Sequence, residues 1–159
     1  MKTLYSIIAT VFVLLIVSAP VQADVGYSAT LDGLQEVPPN ASPASGTAFL
    51  TLDGLGVLHY SVSYSGLTAL RTASHFHGPA GMGVSAGVVF GIAGGGPTAD
   101  VIVGTWTIDA TNLGRLNSGL LYLNVHSSTF PGGEIRGQVH VDATPNKSTT
   151  WGRIKHLYR

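Results

Sequence analysis

The chain has 159 residues with eight basic and eight acidic side chains and no cysteine, which excludes disulfides and thiolate metal sites and leaves a hydrophobic core as the main source of stability. Its zero net charge hides an asymmetry. Between Asp24 and Asp142 stand Arg71, Arg115 and Arg136 against Asp24, Asp32, Glu36, Asp53, Asp100, Asp109, Glu134 and Asp142, a net charge of −5 that repels phosphate backbones and excludes nucleic acid as the expected partner.

At the start of the chain, Lys2 precedes an almost wholly apolar run from Leu4 to Val17. Pro20 breaks it, and "VQA" places small residues where a signal peptidase reads. This predicts a secretory signal over 1–23, cleaved after Ala23, and a periplasmic or secreted mature protein. The alternative is an uncleaved anchor, but the apolar core is shorter than the roughly 20 residues a spanning helix needs. No membrane span is expected after cleavage.

From Asp24 to Asp142 the pattern is all-β: short apolar runs separated by turn residues. "GYSATL" is a first strand, and the Pro- and Asn-containing stretch "DGLQEVPPNASPASG" is a loop. "TAFLTL" follows, then the turn "DGLG" and "VLHYSVSYSG". In that last run Leu58, Tyr60, Val62 and Tyr64 share one face, and His59, Ser61 and Ser63 the other, as in a half-buried strand. "TASHFH", "AGVVFGI", "DVIVGTWTI", "GLLYLNVHS" and "GEIRGQVHV" are further strands, with "AGGGPTA" (93–99) read as a mobile loop. "DATNLGRLNSG" is the one helical stretch, with Thr111 as its cap and Gly119 as its end. About eight strands predict a Greek-key β-sandwich or flattened barrel over 24–142. The tail, 143–159, has Lys147, Arg153, Lys155 and Arg159 and no acid, and is expected to be a disordered basic extension that touches anionic lipid or polysaccharide.

Chemistry concentrates in the histidines. Residues two apart on a strand point to one side, so His75 and His77 project together while Phe76 faces the core. His126 sits with Tyr122 and Asn124 on the polar side of its own strand, opposite Leu121, Leu123 and Val125. If the two strands are neighbours, a three-imidazole site follows. Imidazole without thiolate suits Cu(II) or Zn, with Ni and Fe as further options. The plain alternative is a solvated His-x-His pair on a polar strand face. His59 lies among serines, and His140 alternates with Arg136 and Gln138; both strand faces are read as solvent-exposed. His156 falls in the tail.

Three blocks, "LDGLQEVPPNASPASGTAFLTL", "HFHGPAGMGVSAGVV" and "GLLYLNVHSSTFPGGEIRGQV", resemble in order the signatures of the CHRD domain, the module named after chordin. The resemblance runs from about Tyr27 to Val141. It implies an exported, immunoglobulin-like β fold, with copper binding among some bacterial members, and it maps the family's histidines onto His75, His77 and His126. The His-x-His strand is also similar to that of Cu,Zn superoxide dismutases, though without the aspartate and further histidines of a bridged two-metal site. Glu36 and Glu134 fall in the same motifs. Either could orient a ligand histidine; alternatively Glu134 pairs with Arg136 and Glu36 accepts loop N–H groups. The structural role is favoured for both, and for Asn124. The tail lacks the apolar helix with which many bacterial members end.

Three functions are therefore expected, in order. The first is an exported metal-binding protein that sequesters or transfers copper, with zinc as the alternative ion, through a mononuclear site. The second is an extracellular module that binds another protein or a matrix polymer. The third and weakest is a copper-dependent redox enzyme, since no acid–base constellation, nucleophile elbow or phosphate cradle accompanies the histidines.

Overall fold

The structure, a computed structural model, describes residues 24–142. The expected signal segment, 1–23, and the basic tail, 143–159, His156 included, lie outside the described residues. The domain is all-β: β1 (Val25–Asp32), β2 (Ser45–Leu52), β3 (Val57–Ser65), β4 (Arg71–His77), β5 (Val88–Ala93), β6 (Asp100–Thr107), β7 (Tyr122–Ser127), β8 (Ile135–Gln138) and the short β9 (His140–Val141). A 3-10 turn (Gly33–Gln35) follows β1, and one helix, α1 (Ala110–Asn117), joins β6 to β7.

Eight strands form one antiparallel path in the order β5-β4-β7-β8-β1-β2-β3-β6, and β9 pairs with β1 beside it. β6 returns to lie against β3 after the β4–β5 hairpin has formed at the other end of the path, the long-connection feature expected of a Greek key. The path curls into a flattened, nearly closed barrel. Its seam, between β5 and β6, is joined by side chains: the Phe90 and Trp106 rings stack at 4.7 Å and 10°. Phe76 meets both Tyr60 and Trp106 beneath them, at 5.9 and 5.4 Å.

Period-two alternation builds this core. Leu58, Tyr60, Val62 and Tyr64 of β3 are buried, as are Leu31, Phe76, Leu123, Val125 and Ile135 from facing strands. Each contributes about 1.5–3 kcal/mol by leaving water, before the entropy of ordering is set against it.

Three local expectations are corrected. α1 is capped by Asp109 rather than Thr111: the helix starts two residues earlier, and the Asp109 carboxylate accepts from Asn112 N–H at 2.9 Å. Gly119 does end it, with φ +66 and its N–H on the Leu116 carbonyl. The 93–99 stretch is not a loose loop, because Gly96 exchanges both backbone bonds with Arg71 (2.9 and 3.0 Å) and Tyr64 Oη donates to the Pro97 carbonyl. The largest correction concerns the polar side of β8. Arg136 and Gln138 are 2% and 3% exposed, whereas His140, beyond the strand, is exposed as expected. Segments 33–44 and 78–87 lie over that side, which strand alternation alone does not reveal.

Candidate metal centre

β4 pairs antiparallel with β7, and β7 with β8. The register places His75 opposite Asn124 and Asn124 opposite Arg136, with His77 opposite Tyr122 and Tyr122 opposite Gln138. His126 lies opposite Ala73, across a bulge between Arg71 and Ala73. These residues form a polar layer on the outer side of the β4-β7-β8 sheet. It is nonetheless covered: His77, His126, Asn124, Arg136 and Gln138 are buried, and His75 is partly so.

The three sequence-predicted histidines meet here. One ring nitrogen from each of His75, His77 and His126 lies within 4.8 Å of the others. His77 Nδ1 is 3.0 Å from the Ala86 carbonyl, and His126 Nδ1 is 3.1 Å from the Pro131 carbonyl. A carbonyl only accepts, so both Nδ1 atoms carry the proton and both Nε2 atoms present a lone pair. His77 Nε2 is buried with no partner. His126 Nε2 faces His75 Nδ1 at 3.1 Å, so His75 donates to it.

Burial lowers the pKa of all three imidazoles; at His77 and His126 the bonds to Ala86 and Pro131 oppose that shift, and neighbouring charge adds to it. Each is therefore neutral at pH 7, the form in which imidazole ligates. Two nitrogens bound to one tetrahedral ion at about 2.0–2.1 Å stand roughly 3.3 Å apart. The His75–His126 separation already matches that spacing. The donor set fits a mononuclear nitrogen-ligated ion, with Nδ1–H bonds to backbone carbonyls fixing the tautomer and orientation of two of the rings from behind.

The acids stand elsewhere. Among the described residues, neither Glu36 nor Glu134 bonds a histidine. Glu134 is wholly buried and accepts from Ser42 Oγ and from Thr68 N–H, both at 2.7 Å. Burial pushes its pKa up, but the hydrogen bonds from Ser127, Ser42 and Thr68 outweigh that and hold it below the ordinary value. It does not pair with Arg136, because it turns toward those segments instead. Glu36 accepts from Asn124 Nδ2 at 3.3 Å, and burial raises its pKa to about 7 against the opposing effects of Arg136, Asn124 and Val37.

Sequence reasoning missed Gln138 and Tyr122. Gln138 Nε2 donates to the carbonyls of Gly119, Ala80 and Leu121 at 2.7, 2.9 and 3.1 Å, tying three segments together. The Tyr122 ring lies between His77, stacked at 4.9 Å, and the Arg136 guanidinium, 3.6 Å from its centroid. The visible signal was an alternation of Tyr, Asn and His facing one of Arg and Gln; the carbonyls that fix the tautomers leave no side-chain signature.

Comparison with known proteins agrees with the motifs. The CHRD domain model matches residues 27–139. Chordin of Danio rerio is 32% identical over 125 residues, and Chordin of Xenopus laevis 31% over 125, covering 70% and 72% of this chain. In each case the match spans 12% of the relative, so this chain corresponds to a small part of those proteins. No solved structure matches. Two vertebrate chordins and a family model over most of the described residues place it: the chain belongs to the CHRD domain family.

Proposed function

We propose that this domain is an exported metal-binding protein whose mononuclear site is His75, His77 and His126, and that its ion is copper, held for sequestration or transfer, with zinc as the alternative. The observation that carries the reading is the pair of Nδ1–H bonds to Ala86 and Pro131, which leaves the Nε2 lone pairs of His77 and His126 free to ligate, the latter facing the third ring. A buried lone pair without a donor is unfavourable by about 1–3 kcal/mol, and a bound cation would remove that cost at His77 Nε2. Imidazole nitrogens without thiolate favour Cu(II) and Zn(II) over harder ions. A bound ion would take the lone pairs of His77, His126 and, after its proton moves to the other ring nitrogen, His75. The fourth position is left for water or an incoming protein oxygen.

The test is titration of the purified protein with Cu(II), Cu(I) and Zn(II) beside a His75→Ala/His77→Ala variant. One tight equivalent lost in the variant supports the reading; weak binding that ignores the substitutions overturns it.

A second reading, an extracellular interaction module, is favoured by the similarity to Chordin and by an apolar group on the outer face of β2 and β6. There Phe49, Val101 and Val103 are 66%, 57% and 71% exposed among serines and threonines. An aligned apolar cluster on an outer face suits protein contact. A Phe49→Ser/Val103→Ser variant that keeps its metal but loses a captured partner would support this reading separately.

A further inference from the structure

A second site lies on the same covered face, beyond Asn124 from the histidines. A cleft of about 230 Å³ is walled by Leu34, Val37, Pro39 and Met82 and floored by Glu36, Arg136 and Gln138. Leu34, Val37 and Met82 are 77%, 40% and 69% exposed, so the walls are apolar surface left in water around charged, buried groups. That combination, apolar walls with a few convergent polar groups, is the usual make-up of a small-molecule site. The volume falls below the roughly 300–1,000 Å³ of drug-sized pockets, so its ligand is small.

The charge of the floor follows from two orphan oxygens. Glu36 Oε1 and Asn124 Oδ1 are both buried without a partner. Both lie 2.6 Å from the point that a Cβ on Gly133 would occupy, so they face the same spot. Asn124 Nδ2, 2.5 Å from the same point, already donates to Glu36 Oε2 at 3.3 Å. A proton on Oε1 supplies the one donor that both orphans lack and closes a cyclic acid–amide pair. Glu36 is then neutral. Arg136 is left as a buried guanidinium whose side chain donates through Nη2 to the Gly81 carbonyl and Gln138 Oε1, with its plane on Tyr122. The ion pairs among the described residues join His59 to Asp53 and Arg71 to Asp100, and Arg136 is in neither. A buried cation without a counter-ion is costly, and a guanidinium matches carboxylate geometry.

We propose that this cleft binds a small organic monocarboxylate with an apolar tail, its carboxylate on Arg136 and its tail against Leu34, Val37 and Met82. The site does not depend on the histidines and stands whether or not they hold an ion. The charged and titratable groups around Glu36 are Arg136 from β8 and, beneath it, Tyr122 from β7; the loop residues on its other sides carry no charge.

The test is an NMR titration of the purified protein with sodium hexanoate, hexanamide and hexylammonium chloride. Hexanoate is expected to shift the amides of Leu34–Val37 and the Met82 methyl. Hexanamide should bind about tenfold or more weakly, the loss expected for one charge-assisted hydrogen bond. Glu36→Gln, which keeps the cyclic pair, should bind hexanoate as the parent does, and Arg136→Gln should not. Should Arg136→Gln fail to fold, Leu34→Asp decides, since it adds repulsion at an exposed rim: unchanged hexanoate affinity there overturns the proposal. So do equal binding of hexanamide, preference for hexylammonium, or loss of hexanoate binding in Glu36→Gln.

Discussion

The outer faces of the two halves of the barrel are both built from strands with polar residues at most of their outward positions, yet they end in opposite environments. On β2, β3 and β6 the polar outer positions include Thr47, Thr51, His59, Ser63 and Thr105, all exposed, with Ser61 half-buried and Phe49, Val101 and Val103 exposed among them. On β4, β7 and β8 they are His75, His77, Tyr122, Asn124, His126, Arg136 and Gln138, and all but His75 are buried. What separates them is residue type and cover. Short hydroxyls are satisfied by water. Long side chains carrying several donors and acceptors are worth burying only where loops bring partners to them, as the Ala86 and Pro131 carbonyls do. A polar face rich in His, Asn, Arg and Gln is therefore a candidate interior, and a Ser/Thr face a candidate surface.

Paired substitutions would sharpen that contrast, and the largest effect is expected at Gln138. Gln138→Ala removes two amide protons shared among three carbonyls, of which only Leu121 O keeps another donor, the Val139 N–H, and should lower stability by about 2–4 kcal/mol in chemical denaturation. Thr105→Ala, at an equivalent alternating position on the exposed face, should stay within ~0.5 kcal/mol. Equal losses would erase the distinction between the faces. Glu134→Ala comes next. It strands the Thr68 N–H and the Ser42 hydroxyl and should cost about 2–3 kcal/mol by the same measurement, with metal affinity unaltered in the surviving folded fraction.

Effects that depend on pH are smaller and of opposite sign in two parts of the covered face. Glu36 has its pKa raised from 4.5 to about 7 on folding, so its contribution is fully present below pH 4.5 and is lost as pH rises through about 7. Glu36→Gln should accordingly match the parent near pH 4.5 and exceed it in melting temperature at pH 8. The three imidazoles have lowered pKa values, so their contribution is present above pH 6.5 and lost as pH falls below it. His126→Ala should flatten the acid side of the stability curve and weaken metal binding sharply while the fold persists. Its melting temperature falling with metal affinity unchanged would make His126 a structural residue only. The smallest effect belongs to His59→Ala, on the exposed face, which should leave metal affinity as it is.

Much of the fold was legible because alternation is local. Tyr60 and Val62 inward with Ser61 and Ser63 outward follows from a strand's period alone, and so does the shared side of His75 and His77. That β4 should pair with β7 is a contact across some fifty residues, which no local pattern encodes; the third histidine could be aligned with the pair but not seated beside it. The burial of Arg136 and Gln138 was hidden for a related reason, since the segments that cover them lie elsewhere in the chain. Cap choice at α1 turned on a single residue, Asp109 against Thr111, because the helix start shifts with which side-chain oxygen reaches a free N–H. The tautomers were beyond reach because backbone carbonyls set them.

The central claim is that two Nδ1-protonated rings and a third imidazole hold one ion. Its most direct test is the long-range ¹H–¹⁵N spectrum of the histidine side chains before and after one equivalent of Zn(II). His77 and His126 are expected as Nδ1–H tautomers at pH 7, with their Nε2 signals and one His75 nitrogen shifting on addition while His59 and His140 stay in place. Nε2–H tautomers at His77 and His126, or a shift confined to His59 and His140, would contradict the site.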